Sequence, residues 1–228
     1  MKAGSPTSHG GYQSVIWGSG GTAKKLADVV WACGQEVVAL FDNNPDVKSV
    51  LDGVPIYYGE SGLKAWTIEH QGAMPCAALV GAGAAPGGER LALLNLLSSH
   101  GFLTPPIAHP TAWISPRANV SRGSVVFAQG IIDAYAVVGD ACIVNDAARV
   151  GHDCIVGNGV HLAPGAVLLG GARIGDHVLI GANAVVMPHL VIGSDAKVGA
   201  GAVVLADVPS GATVVGNPAR IVKAAKNG

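Results

Sequence analysis

The chain has 228 residues, of which 50% are hydrophobic, 13% charged and 5% aromatic, with a formal net charge of −1. That balance excludes nucleic acid or an anionic membrane surface as the main partner, since both call for a basic patch, and its hydrophobic content excludes a disordered chain. No apolar run approaches the roughly 18 residues of a membrane-spanning helix.

The opening "MKAGSPTSHGGYQ" lacks the apolar core of a signal peptide. Four cysteines, Cys33, Cys76, Cys142 and Cys154, show no C-x-x-C spacing, so reduced thiols in a cytoplasmic protein are expected.

The first elements read as strand, turn, helix, strand. Ser14–Trp17 is a short apolar run; Gly18, Gly20 and Gly21 make a turn; Thr22–Cys33 carries Leu26, Val29, Val30 and Cys33 at helical spacing; Val37–Phe41 is the next strand. A glycine turn entering a helix N-terminus offers free amides to an anion, and Asp42, at the end of the second strand, is placed to accept from a ribose or base. Ala23 stands where a dinucleotide fingerprint has its third glycine. The turn therefore fits a mononucleotide-type ligand better than NAD, with plain helix capping as the alternative. Further strands are expected at Ile56–Tyr58 and Ala77–Val80, a helix from about Glu89 to Ser99, and a linker at "TPPIAHPTAW", 104–113.

From Ile114 to Val204 every sixth residue is Val, Ile or Leu, sixteen times without an insertion. Four places after each comes a small residue in twelve of the sixteen, among them Cys142 and Cys154, and glycine often follows the aliphatic directly. Neither a period of 3.6 nor one of 2 explains six. A short strand plus a corner does, and three such units close a triangular coil of 18 residues in a parallel β-helix of about five coils. With a rise of about 4.8 Å per coil, the prism is on the order of 25 Å long. Two domains follow: residues 1–105, a small α/β Rossmann-like βαβ unit, and 106–228, the all-β coil with a C-terminal tail.

"ARVGHDCIVGNGVHLAPGA", 148–166, places His152 and His161 nine residues apart, half a coil. Half a coil puts them on opposite sides of one prism, so they can share a site only across a seam between copies. The spacing thus predicts a homotrimer with active sites at subunit interfaces. Pro164, Ala182 and Ala200 recur every 18 residues and stack at one corner. They leave a shallow groove suited to the pantetheine arm of coenzyme A, or are simply what a tight corner needs.

The combination of "GSGG", an HP linker, "VNDAARVGHDCIVGNGVHLAPGA" and a closing "GNPAR" resembles the hexapeptide-repeat sugar acyltransferases, including UDP-4-amino-sugar and GDP-perosamine N-acetyltransferases and sialic acid O-acetyltransferase relatives. The resemblance implies a left-handed β-helix, acetyl-CoA as cosubstrate, a nucleotide-sugar acceptor and no metal. Residue by residue, His152 matches the general base, Asp153 its acidic neighbour and Asn145 an Asn near the reacting amine. His161 matches the histidine at the thioester, and Ala182 and Ala200 fall where backbone groups hold CoA. Gly20, Gly21 and Thr22 match the nucleotide-sugar loop, Asp42 and Asn43 its base or ribose contacts, and Gly81 a further contact. Two departures fall in the acceptor domain: Thr22 replaces the usual His, and "GAGAAPGGER", 81–90, replaces G-[DN]-N-x-x-R.

The implied reaction is acetyl transfer to the amine of a nucleotide-linked 4-amino-4,6-dideoxy sugar, with His152 taking the proton. Transfer to a sugar hydroxyl is the alternative, because the same base serves both. A non-enzymatic coil would not need His152, Asp153 and His161 in register. A γ-type carbonic anhydrase shares the coil but needs three histidines converging on zinc.

Overall fold

The computed structural model describes residues 13–70, 76–82 and 87–224. The expectation about a leader falls on residues 1–12, outside the described residues, as do positions 83–86 of the departing 81–90 loop.

The N-terminal part runs β1 (Gln13–Trp17), α1 (Gly21–Ala32), β2 (Glu36–Asp42), β3 (Ile56–Tyr58), α2 (Gly59–Glu69), β4 (Cys76–Val80) and α3 (Gly87–Ser99). Its four strands are all parallel, in the order β3-β2-β1-β4. A parallel sheet must be covered on both faces, and strand alternation divides the residues accordingly. Ile16, Leu40 and Leu79 face α1, which buries Leu26, Val29 and Val30 against them. Val15, Trp17, Phe41 and Ala78 face the other way, onto Leu63 and Trp66 of α2 and Leu93, Leu94 and Leu97 of α3. All four strands lie within one residue of their expected bounds, and the helix at 59–69 is unexpected from the sequence. Only Leu63 and Trp66 of that helix are buried, too few for a periodic signal.

The C-terminal part is a left-handed parallel β-helix. Seventeen two-residue strands, each six residues after the last, run from Ile107–Ala108 to Val203–Val204. They fall into three sheets whose members are 18 residues apart in sequence. The first face stacks the strands that begin at Ile107, Val125, Ile143, His161, Leu179 and Lys197, and closes with Thr213–Val215 and an antiparallel Arg220–Lys223. The repeating aliphatics point inward with Cys142, Cys154 and a file of alanines as one continuous core.

Two expectations need correction. Residues 104–113 are not a linker, because Ile107–Ala108 already pairs with Val125–Val126. The inward place six before Ile114 is taken by Ala108, whose side chain is too small to extend the Val, Ile and Leu pattern. The prism is also longer than about five coils. Seven parallel strands stack on the first face, so the column is roughly 29 Å long at about 4.8 Å per step.

The α/β part sits on that first face. Val125, Phe127 and Ile143 of the coil join the core under α1. Arg90 of α3 is 2% exposed and donates Nε to the Ala141 carbonyl at 3.3 Å and Nη2 to that of Gly159. Burial holds this guanidinium below its ordinary pKa; the backbone carbonyls are what make the buried cation tolerable. Among the described residues no helix is long and apolar enough to cross a membrane.

Candidate active site

The corner after Arg149–Val150 carries His152 and Asp153. His152 Nδ1 donates to Asp153 Oδ2 at 2.8 Å, which leaves Nε2 with its lone pair. Asp153 has φ 58, a left-handed conformation that aspartate tolerates better than most residues. The ring lies against Gly170, one coil above: a Cβ there would stand 2.5 Å from both Nε2 and Cε1. Both side chains are exposed, 66% and 62%.

His161 opens the strand above Ile143 on the first face. Asn145 follows that lower strand, and its Nδ2 lies 3.4 Å from His161 Nε2. The carboxamide oxygen accepts from the Asp146 amide at 3.0 Å and from Lys25 Nζ. Lys25 comes from α1, is paired with Asp146 at 2.6 Å, and rests 4.3 Å from the Phe127 ring centroid. Single-chain geometry therefore makes two clusters rather than one. His152 and Asp153 stand at the corner between the face that holds Arg149–Val150 and the face that holds Ile155–Val156; Asn145 and His161 stand on the first.

Lys25 was not among the residues singled out from the sequence. Its spacing in "GTAKKLADVV" marks it only as one of two adjacent surface cations, and the partners that give it meaning are 120 and 121 residues away.

At the corner of Pro164, Ala182 and Ala200 the coils are tied by Asn183 N–H to Pro164 O at 3.0 Å and Gly201 N–H to Ala182 O at 2.8 Å. The side chains are small, and the Cβ side of Gly201 faces open space. Pro164 and Ala200 are exposed and Ala182 is partly so.

In the α/β part, Gly20 caps α1 with no side-chain bond to its amides, and the first turn holds no acidic residue. Nothing lies within 4 Å of where a Cβ of Gly20 or Gly21 would be. Thr22 follows, partly buried. Gly81 packs directly beneath: its amide donates to Trp17 O at 2.7 Å, and a Cβ would meet Ile16, Ala23 and Trp17 within 3.3 Å. Asp42 accepts from the amides of Ser19 and Asn44, both at 2.9 Å. Its first job is to hold the turn, with its remaining lone pairs facing outward beside exposed Asn43. Burial raises the cysteine thiols, to about 12 at Cys76 and about 11 at Cys142, so none is an activated nucleophile. Among the described residues no group of three or more His, Cys, Asp or Glu side chains could hold a metal ion.

The bacterial transferase hexapeptide model (six repeats) matches residues 171–206. Perosamine N-acetyltransferase from Caulobacter crescentus, solved with CoA and GDP-perosamine as a point mutant, is 34% identical over 94% of this chain and 98% of its own, with a TM-score of 0.84. The acetyltransferase domain of PglB from Neisseria gonorrhoeae, solved with acetyl coenzyme A, is 32% identical over 93% of this chain and 100% of its own, TM-score 0.80. The chain belongs to the hexapeptide-repeat sugar acetyltransferases. It is an acyltransferase. WeeI from Acinetobacter baumannii shares the fold at 27% identity, 92% and 100% coverage and TM-score 0.79. Among curated proteins, none matches significantly.

Proposed function

We propose that this acetyltransferase moves an acetyl group from acetyl-CoA to the amine of a nucleotide-linked 4-amino-4,6-dideoxy sugar, with His152 as general base. The single observation behind the base assignment is the 2.8 Å bond from Nδ1 to Asp153. A carboxylate acceptor on Nδ1 keeps the proton there, so Nε2 receives the one that the attacking amine releases, and the same carboxylate stabilises the resulting imidazolium. Such a base typically contributes about 10²–10⁴-fold in rate. The donor class comes from the relatives solved with CoA or acetyl coenzyme A; the acceptor class comes from the one solved with GDP-perosamine.

The small-residue corner of Pro164, Ala182 and Ala200 fits the donor's pantetheine arm, which brings a thioester to the reaction. His161, with Asn145 on its Nε2, is the donor group for the carbonyl oxygen as negative charge develops there. The open glycine turn, Gly20, Gly21 and Thr22, fits the diphosphate, with Asp42 and Asn43 beside the nucleoside and buried Gly81 supporting the turn from beneath.

His152 and His161 stand on different faces of one chain, so the reading requires a homotrimer in which one copy's corner meets its neighbour's first face. Val137 and Ile155, exposed at 39% and 44% and adjacent on the sheet that follows the His152 corner, support such packing. The deciding experiment is thiol release from acetyl-CoA against a panel of UDP-, GDP- and dTDP-linked 4-amino sugars. Transfer to an amine but not to the matching hydroxy sugar supports the assignment; transfer only to hydroxyl acceptors replaces it with O-acetylation, and no transfer with any acceptor overturns it.

A further inference from the structure

The geometry points to Lys25 as a positioning residue that sets the tautomer of His161 through Asn145. This rests on the proposed acyl role of His161, but its geometry stands apart from any substrate. An ammonium only donates, so the Asn145 atom it touches must be the carboxamide oxygen. The Asp146 amide, at 3.0 Å, binds the same oxygen. Two donors on one oxygen hold the carboxamide in a single orientation. Its Nδ2 is thereby turned to His161 Nε2 at 3.4 Å. An NH₂ group also only donates, so Nε2 must be the unprotonated nitrogen, and Nδ1–H becomes the ring's donor. His152 and His161 therefore both carry their proton on Nδ1, but for opposite purposes. In His152 this frees a lone pair; in His161 the proton itself is the useful part.

Lys25 is itself held, by Asp146 at 2.6 Å and the face of Phe127 at 4.3 Å. Its helix begins at Gly21. The element that opens on the glycine turn thus also fixes the imidazole on the coil, and the acceptor-binding part and the acyl side share one chain of contacts. Without the ammonium, only the Asp146 amide still holds that oxygen, so the carboxamide turns more readily to offer its oxygen to Nε2, which favours the Nε2–H tautomer.

The test uses the full chain in three forms: wild type, Lys25→Met, which keeps the stem and removes the donors, and Lys25→Arg, which keeps donors. Imidazole ¹⁵N spectra, with the His161 signals assigned by loss in His161→Gln, report the tautomer directly. The expected result is Nδ1–H in wild type, a shift toward Nε2–H in Lys25→Met with His152 signals unchanged, and recovery in Lys25→Arg. Turnover should fall about tenfold or more in Lys25→Met with the KM for acetyl-CoA within twofold. Asn145→Leu, which spares the Lys25–Asp146 pair, should release the same tautomer. An Nε2–H ring in wild type, or an unchanged tautomer in both Lys25→Met and Asn145→Leu, overturns the inference. If the spectra behave as expected while wild type transfers acetyl to no acceptor, the inference stands and the functional reading fails.

Discussion

His152 donates its Nδ1–H to Asp153 Oδ2 at 2.8 Å while its ring covers Gly170 in the next coil. Ring orientation and ring tautomer thus have separate causes, and each can be removed alone. His152→Ala should lower kcat by about 10²–10⁴-fold with little change in the KM for acetyl-CoA. Asp153→Asn, whose amide can donate to Nδ1 and so favour the wrong tautomer, should lower kcat by roughly 10²-fold or more. Steady-state thiol release measures both; wild-type turnover in His152→Ala removes the base.

Gly170→Ala tests orientation. The added methyl would stand 2.5 Å from Nε2, and the ring is the part that can swing away. Stability should therefore change by less than about 1 kcal/mol, while kcat falls by about tenfold. A thermal melt together with initial rates separates this from a folding defect.

Association follows from the same corner. Light scattering should give three times the 22.8 kDa chain mass. Ile155→Glu, which places a charge beside exposed Val137, should produce a smaller species and abolish turnover together. An active monomer would contradict the interface site.

Leu168→Ala, at a fully buried place in the coil, should cost about 2–5 kcal/mol in chemical denaturation, because tightly stacked coils cannot collapse around the void.

The thiols should react slowly in the folded protein. With Cys142 pushed to about 11, only about one part in 10³ is thiolate at pH 8, and a thiol reagent should reach full stoichiometry only after denaturation. The sign of the linkage is that of a group whose pKa is raised on folding. Its stabilising contribution is complete below the unfolded value near 9 and is lost as pH rises toward 11. Alkaline melts check this.

The coil was legible because its rule is local. Each hexad states its own strand, corner and inward residue, and Cys142 and Cys154 could be assigned to the core by counting. The same counting put His152 and His161 on different faces. Lys25 was illegible for the opposite reason. Its partners, Asn145 and Asp146, lie in another part of the chain, and only the packing of α1 on the coil face, through Val125, Phe127 and Ile143, brings them together. The α2 helix was missed because two buried side chains do not make a period. Asp42 was found, but its bonds to Ser19 and Asn44 depend on turn geometry that spacing alone does not express.

Because strands eighteen residues apart lie directly above one another, the column tolerates growth in one step size only. Adding a full circuit above His161 would heighten the tower and leave every wall facing as before. Adding a single hexad between Pro164 and Ala182 would swing everything above it round by a third of a revolution, carrying Ala182 and Ala200 away from the corner they share with Pro164. Variation among relatives in this stretch should therefore come in whole storeys, and a designed insertion of eighteen residues should remain folded and active where one of six remains folded and inert.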